Sequence, residues 1–328
     1  MSETAKRAFL AGTGWETARI APLAGDASAR AYDRLHLGKR SAILMILPEG
    51  SAAELAAFCR IADHLSGLGL AAPALLKRDP EARFLLLEDL GEGLFPLVRD
   101  PEPTQLYAEA AAVLQHLHRA PPPGGLVRYD SAAMAGACDL AWQWYRPALT
   151  PGPGDFDGFR ALFRDHLAPL DDTPPVLLLR DYHAENLVWR GTGEGLSRVG
   201  LLDFQDALLG DPAYDLASLL LDARHDVDTA MAEALIDSFA AQRKDDPATF
   251  RRAFALMGLQ RNLRLLGIFT RLALRDGKPR YLAFLPRVWR HVETCLARLD
   301  APDLTQAIRT DLPAPDAATI LRLQDKCA

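Results

Sequence analysis

Two apolar runs, VLLLR at 176–180 and NLVWR at 186–190, flank the short stretch that carries Asp181, His183 and Asn186. A third run, VGLLDFQDA, brings Asp203 seventeen positions after Asn186 (203 − 186 = 17). Short apolar runs bounded by turn residues read as buried strands. The spacing therefore predicts Asp181 and Asn186 on the bend of a hairpin and Asp203 at the end of a strand beside it. Each of these residues alone would be an ordinary turn residue held by local hydrogen bonds. Their joint spacing is what points to a common role.

An all-oxygen donor set suits a hard ion, and Mg2+ in particular is held by one or two side chains while substrate phosphates complete its shell. Nucleotide chemistry is the expectation. Asp181 would be the base or orienting group for an attacking hydroxyl, with Asn186 and Asp203 holding Mg2+ against the phosphates of ATP. Positioning and charge neutralisation carry most of the rate in phosphoryl transfer, so few side chains are required. A carboxylate–histidine metal hydrolase built from Asp181, His183 and Asp203 is a rival from another class.

The first ninety residues alternate strands and turns. Strands are expected at 19–23, 29–37 and 41–47, then a helix over SAAELAAFCRIADHLSGLG with Ser51 as N-cap and Glu54 completing a capping box. ARFLLLEDLGEGL follows as a strand running into a connector. Beyond Gly93 the chain reads as mainly helical, with Thr104 capping a helix over 103–119 and the loop TPGPGD preceding another at 156–170. The expected organisation is a two-lobed α+β fold: a small β-rich lobe over 1–91 and a larger, mainly helical lobe over 92–328. GTGW at 12–15 mimics a phosphate loop, but a helix-like stretch precedes it and no strand–loop–helix context surrounds it. The basic residues of QRNLRLLGIFTRLALRDGKPR are expected mostly on a solvated helix face, with one or two reaching the pocket.

With 49% apolar and 24% charged residues the chain can bury a real core, and its formal charge of −6 offers no general reason to expect nucleic acid as a partner. The four cysteines stand far apart with no C-x-x-C spacing, which suggests neither zinc nor a disulfide framework and fits a reducing cytoplasm. No stretch approaches about 18 consecutive apolar residues, so neither a membrane span nor a signal peptide is expected. No protein partner is inferred.

RD-x4-N followed by DFQ resembles the catalytic loop and metal-binding Asp of the protein-kinase-like superfamily. RDYHAENL, LLDFQDALLGDPAYDLASLL and LRLLGIFTRL resemble its aminoglycoside-phosphotransferase branch. From PLAGDASAR through FLLLEDLG to RDGKPRYLAFLPR, the chain is most similar within that branch to bacterial kinases of the anomeric hydroxyl of N-acetylmuramate and N-acetylglucosamine, which serve peptidoglycan recycling. The resemblance implies an amino-sugar acceptor; other small-molecule kinases, acting on aminoglycosides, choline or amino acids, share the loop. It also implies that backbone groups of Glu88 and Leu90 read the adenine edge. The acceptor would be sought near Asp206, Tyr214, Arg261 and Asn262 and along the helix carrying Asp139, Trp142 and Trp144, an Arg suiting the lactyl carboxylate of N-acetylmuramate. Asp215 and His183 are read as supports of the loop.

Two departures from the superfamily pattern stand out. Leu179 replaces the His of H-R-D, and aligning AILM with V-A-I-K puts Met45 where the phosphate-pairing Lys is expected. Arg30 is the first candidate for the missing cation, with Arg34 and Lys39 behind it, and Ser28 in GDAS could cover phosphate oxygens. The same departures leave open a non-catalytic nucleotide-binding regulator.

Overall fold

The computed structural model describes residues 3–23, 30–79 and 83–327. Among these, α1 (Glu3–Leu10) precedes β1 (Arg19–Pro22), β2 (Ala31–Leu37), β3 (Arg40–Ile46), α2 (Ala52–Gly67), β4 (Leu75–Asp79) and β5 (Phe84–Glu88). Then come α3 (Pro103–Leu117), α4 (Ser131–Gly136), α5 (Arg146–Leu149), α6 (Phe156–Leu167), β6 (Val176–Leu178), β7 (Leu187–Trp189), β8 (Val199–Leu201) and β9 (Leu208–Gly210). Helices α7 (Ala213–Leu220), α8 (Thr229–Arg243), α9 (Pro247–Leu274), α10 (Leu285–Leu299), α11 (Pro302–Asp311) and α12 (Ala317–Asp325) complete the chain. The residues divide into two compact units, 1–113 with 185–207 and 114–184 with 208–328. No helix among the described residues is long and apolar enough to cross a membrane.

In the first unit the five strands form an antiparallel sheet in the order β1-β2-β3-β5-β4. Strand alternation sorts its residues onto two faces. Leu35, Ala42, Leu44, Ile46, Phe84 and Leu86 join Phe9, Leu10 and Trp15 in one buried cluster. Trp15 of GTGW is thus a core residue, covered by the Arg40 guanidinium 4.7 Å from its ring centroid. Met45 lies on the opposite face, fully buried, paired across the ladder with Tyr32 and Leu85. Ser51 stands at the N-cap of α2 without a side-chain cap bond, and the Glu54 carboxylate pairs with Arg30. Thr104 is likewise no cap: Pro103 already opens α3, its fixed φ suiting the first helical position.

The expected hairpin between VLLLR and NLVWR does not form. Each run contributes three strand residues, and β6 pairs with β9 whereas β7 pairs with β8. Runs this short have too few ladder bonds to dictate a partner locally. In the first unit the β7–β8 ribbon docks on the connector after β5: Trp189 N–H donates to the Gly93 carbonyl at 2.6 Å. A Cβ at Gly93 would stand 2.5 Å from the Trp189 oxygen, so only glycine permits this approach.

The second unit is organised around α9. This helix is buried over most of its length, Arg261 and Asn262 included; of the basic residues expected to face solvent, Arg264 and Arg271 are half-buried, Arg275 and Arg280 beyond its end are exposed, and Arg261 is turned inward. Gly267 lets the 140–141 backbone press against it, since a Cβ there would fall 2.1 Å from the Leu140 carbonyl carbon. The stretch after that contact, Ala141–Tyr145, is a π-helical turn. Trp142 donates to Asp311 at 2.7 Å and stacks on Phe159, and Tyr145 donates to the Pro313 carbonyl, which makes both packing aromatics.

His118, just past α3, has two ring nitrogens that are inaccessible and unpartnered, and its ring meets Phe239 edge-on. Burial, helped by the Arg243 charge, pushes its pKa down to about 3. The folded-state pKa lies below the unfolded value, so this residue's contribution is intact above about pH 6.5 and is lost as pH falls towards 3. Relative to the parent, His118→Phe therefore gains about 2 kcal/mol of stability between pH 8 and pH 5. Urea unfolding at the two pH values reads this, and an equal ΔΔG at both would contradict it.

Candidate active site

In the first unit, Leu202 N–H donates to the Asn186 carbonyl at 3.0 Å, extending the β7–β8 ladder by one rung. Asn186 is thereby paired with Leu202, the residue before Asp203. Asp203 has φ +58, a left-handed conformation costly for a non-glycine residue. Its Oδ1 takes Arg30 Nη2 at 3.1 Å and Gln205 Nε2 at 2.9 Å. Arg30 Nε pairs in turn with Glu54 of α2 at 3.1 Å. Phe204, next to Asp203, stacks on Phe58 of the same helix at 5.0 Å.

Arg30 reaches this position because of register. Tyr32 is directly opposite Met45, and Arg30, two residues before Tyr32, shares that face by strand alternation. Burial opposes the Arg30 charge, but Tyr32, Asp203, Glu54 and Asp206 together leave its pKa raised. The same burial pushes Tyr32 up to about 12. Arg34 is committed elsewhere, to Asp89 at 2.9 Å and to Glu92 in the connector, and Lys39 is exposed in the β2–β3 turn. Ser28 and the rest of GDAS lie outside the described residues.

The connector itself is held by several contacts. Glu88 N–H donates to the Ala74 carbonyl at 2.9 Å and its carboxylate pairs with Arg190 at 2.9 Å. Leu90 is buried. Asp206 is exposed, within electrostatic reach of Arg30.

The second unit holds Asp181. Asp215, completely buried at the start of α7, accepts the backbone N–H groups of Leu179 at 2.6 Å and Arg180 at 2.9 Å. Burial pushes the Asp215 carboxyl up to about 7 against those two donors. Arg180 takes φ +72. Burial raises the Asp181 pKa, but Arg261, Arg264, His183 and Arg180 outweigh it and the net direction is down. Asp181 is a carboxylate at neutral pH, the state a proton acceptor needs. His183 is buried and pushed by that burial to about 4, so its imidazole is neutral there.

The residues considered for an acceptor do not share one environment. Tyr214 is wholly buried, its ring edge-on to Tyr129 and its hydroxyl without a partner. Asn262 is equally buried and donates to the Gly258 carbonyl of its own helix. Asp139 is half-buried and accepts from Gln143 at 2.7 Å. Arg261 is buried with its fork turned to the 180–181 backbone and Asp181.

Glu54, read from the sequence only as a capping residue, and Gln205 join Arg30 and Asp203 here without having been proposed for the site. A helix carboxylate with a sheet cation as counterpart was the available signal, but Met45 removed the obvious counterpart. Among the described residues no three or more His, Cys, Asp or Glu side chains form a group that could hold a metal ion. The Asn186 amide and the Asp203 carboxylate are two oxygen donors, the number that Mg2+ takes from protein when phosphates supply others.

This sheet-plus-helical fold is a kinase-like one. It is similar over 99% of the chain, with TM-score 0.64 and 16% identity, to all of a choline/ethanolamine kinase family protein from Mesorhizobium loti. It also matches, over 82% of the chain, 99% of an aminoglycoside phosphotransferase from Streptomyces rimosus in complex with ADP and streptomycin, with TM-score 0.55 and 18% identity. The phosphotransferase enzyme family matches residues 19–254, and the chain belongs to it. A protein of Caulobacter vibrioides named N-acetylmuramate/N-acetylglucosamine kinase is 37% identical over 90% of this chain and 92% of its own length.

Proposed function

We propose that this phosphotransferase moves the γ-phosphoryl group of ATP to the anomeric hydroxyl of N-acetylmuramate and N-acetylglucosamine. The observation that carries the acceptor is the near full-length likeness to a kinase of those two sugars. The chemistry is supported by an Asp181 kept ionised beside a braced loop and by the Arg30–Asp203–Glu54 chain of charges. In this reading residues 1–91 serve the nucleotide and 92–328 the acceptor.

Asp181 accepts the proton of the sugar hydroxyl as its oxygen bonds to the γ-phosphorus and the bond to the ADP oxygen breaks. Asn186 and Asp203 would hold Mg2+, which when bound neutralises phosphate charge. Arg30 supplies the positive charge that Met45 cannot, delivered from the neighbouring strand and oriented by Glu54. The carbonyl of Glu88 and the backbone of Leu90 would meet the adenine. A reducing cytoplasm is the proposed setting, where ATP is available.

Incubation with ATP, Mg2+ and each sugar, followed by detection of the sugar 1-phosphate, tests the acceptor. Turnover of both sugars is expected. No product from either, with choline or an aminoglycoside phosphorylated instead, would replace the acceptor and keep the family.

A further inference from the structure

Arg261 is a reasonable partner for a substrate carboxylate by charge, but its contacts lead elsewhere. It is 3% exposed, midway along α9. Nη1 donates to the Arg180 carbonyl at 2.9 Å, and Nη2 lies 3.6 Å from Asp181 Oδ1. The carbonyl it holds belongs to the residue with left-handed φ immediately before Asp181. On the other side of the same turn, Asp215 takes the Leu179 and Arg180 N–H groups. The turn is gripped at its donors by one buried residue and at its acceptor by another.

We infer that Arg261 is a positioning residue for Asp181 and not a sugar-recognition residue, an inference that rests on the reading of Asp181 as the catalytic carboxylate. Rotation of the 180–181 peptide would swing the Asp181 side chain, and the strained φ of Arg180 gives that peptide a reason to rotate. The bond from Arg261 blocks the rotation. A planar guanidinium can serve a carbonyl and a carboxylate at once, whereas an ammonium lacks the rigid fork. Arg261 also places its charge beside Asp181 from the α9 side, with Arg264 on the same helix and Arg180 on the loop.

The two sugars separate this role from substrate binding, because N-acetylmuramate carries a lactyl carboxylate that N-acetylglucosamine lacks. Steady-state kinetics of the full chain with Arg261→Gln and Arg261→Lys are measured on both. Misplacing a reacting group by about 1 Å costs on the order of 10²-fold, so kcat of the Gln variant is expected to fall by that factor, equally for the two sugars and with little change in sugar KM. The Lys variant keeps the buried charge and recovers part of kcat, again equally; it carries the comparison if the Gln variant does not fold. A loss confined to N-acetylmuramate, or one expressed as a raised sugar KM, would overturn the inference. Parent activity on the two sugars checks the functional reading separately, since the inference is read only from variant-to-parent ratios.

Discussion

Asp181→Asn lowers kcat by on the order of 10³-fold, within the range that general-base groups contribute, while ATP affinity stays within about twofold. The amide keeps the size of the carboxylate and its ability to accept from Arg261, so the loop braced by Asp215 is preserved. What is lost is the proton acceptor. The downward shift of Asp181 shows why the carboxylate is available: Arg261, Arg264, His183 and Arg180 outweigh the effect of burial. Its charge is thus present at all pH values above the ordinary carboxylate range. Single-turnover measurement of sugar 1-phosphate checks the loss, and ATP titration checks the binding. A variant retaining a tenth or more of the parent's turnover would remove Asp181 from the chemistry, since roughly tenfold lies below the usual range for such a group.

Arg30→Met lowers kcat/KM for ATP by on the order of 10²-fold, the scale on which removing one preorganised donor from developing phosphoryl charge is felt. The variant leaves Glu54 and Asp203 without their shared cation, and those carboxylates then repel the phosphates that the site must attract. Arg30→Lys retains the charge but cannot bridge two carboxylates with a fixed fork, so it falls between parent and Met. Glu54→Gln should cost less than Arg30→Met, and combining the two should cost less than the sum, as for residues in one network. Unchanged KM for ATP and unchanged kcat in Arg30→Met would show that the missing strand Lys has no substitute here.

The parts of the site differ in how they could be read. Asp181, Asn186 and Asp203 could be proposed from the sequence because their spacing is short and their loops are bounded by apolar runs. The β1–β3 meander was legible for the same local reason: alternation and turn residues act within a few positions. Arg30 could only be offered as one of three cations. Its selection depends on the Tyr32–Met45 register and on where Glu54 of α2 stands. The separate partners of β6 and β7 were hidden, since three-residue strands take their partners from surrounding packing. Arg261 was read as a candidate for the acceptor; only its contacts within the folded chain show its fork turned to the Arg180 carbonyl and Asp181.

By itself the order of residues determined the class of chemistry, the placing of strands and turns in the sheet, and the oxygen-bearing side chains on offer. These depend on local backbone preference and on short spacings, which a chain carries with it before it folds. Tertiary structure alone decided which cation serves Asp203, which buried groups hold the turn at Asp181, and which Arg is turned inward. Each of those is a contact between residues far apart along the chain, and its worth comes from desolvation and fixed geometry that exist only once the interior has closed around it.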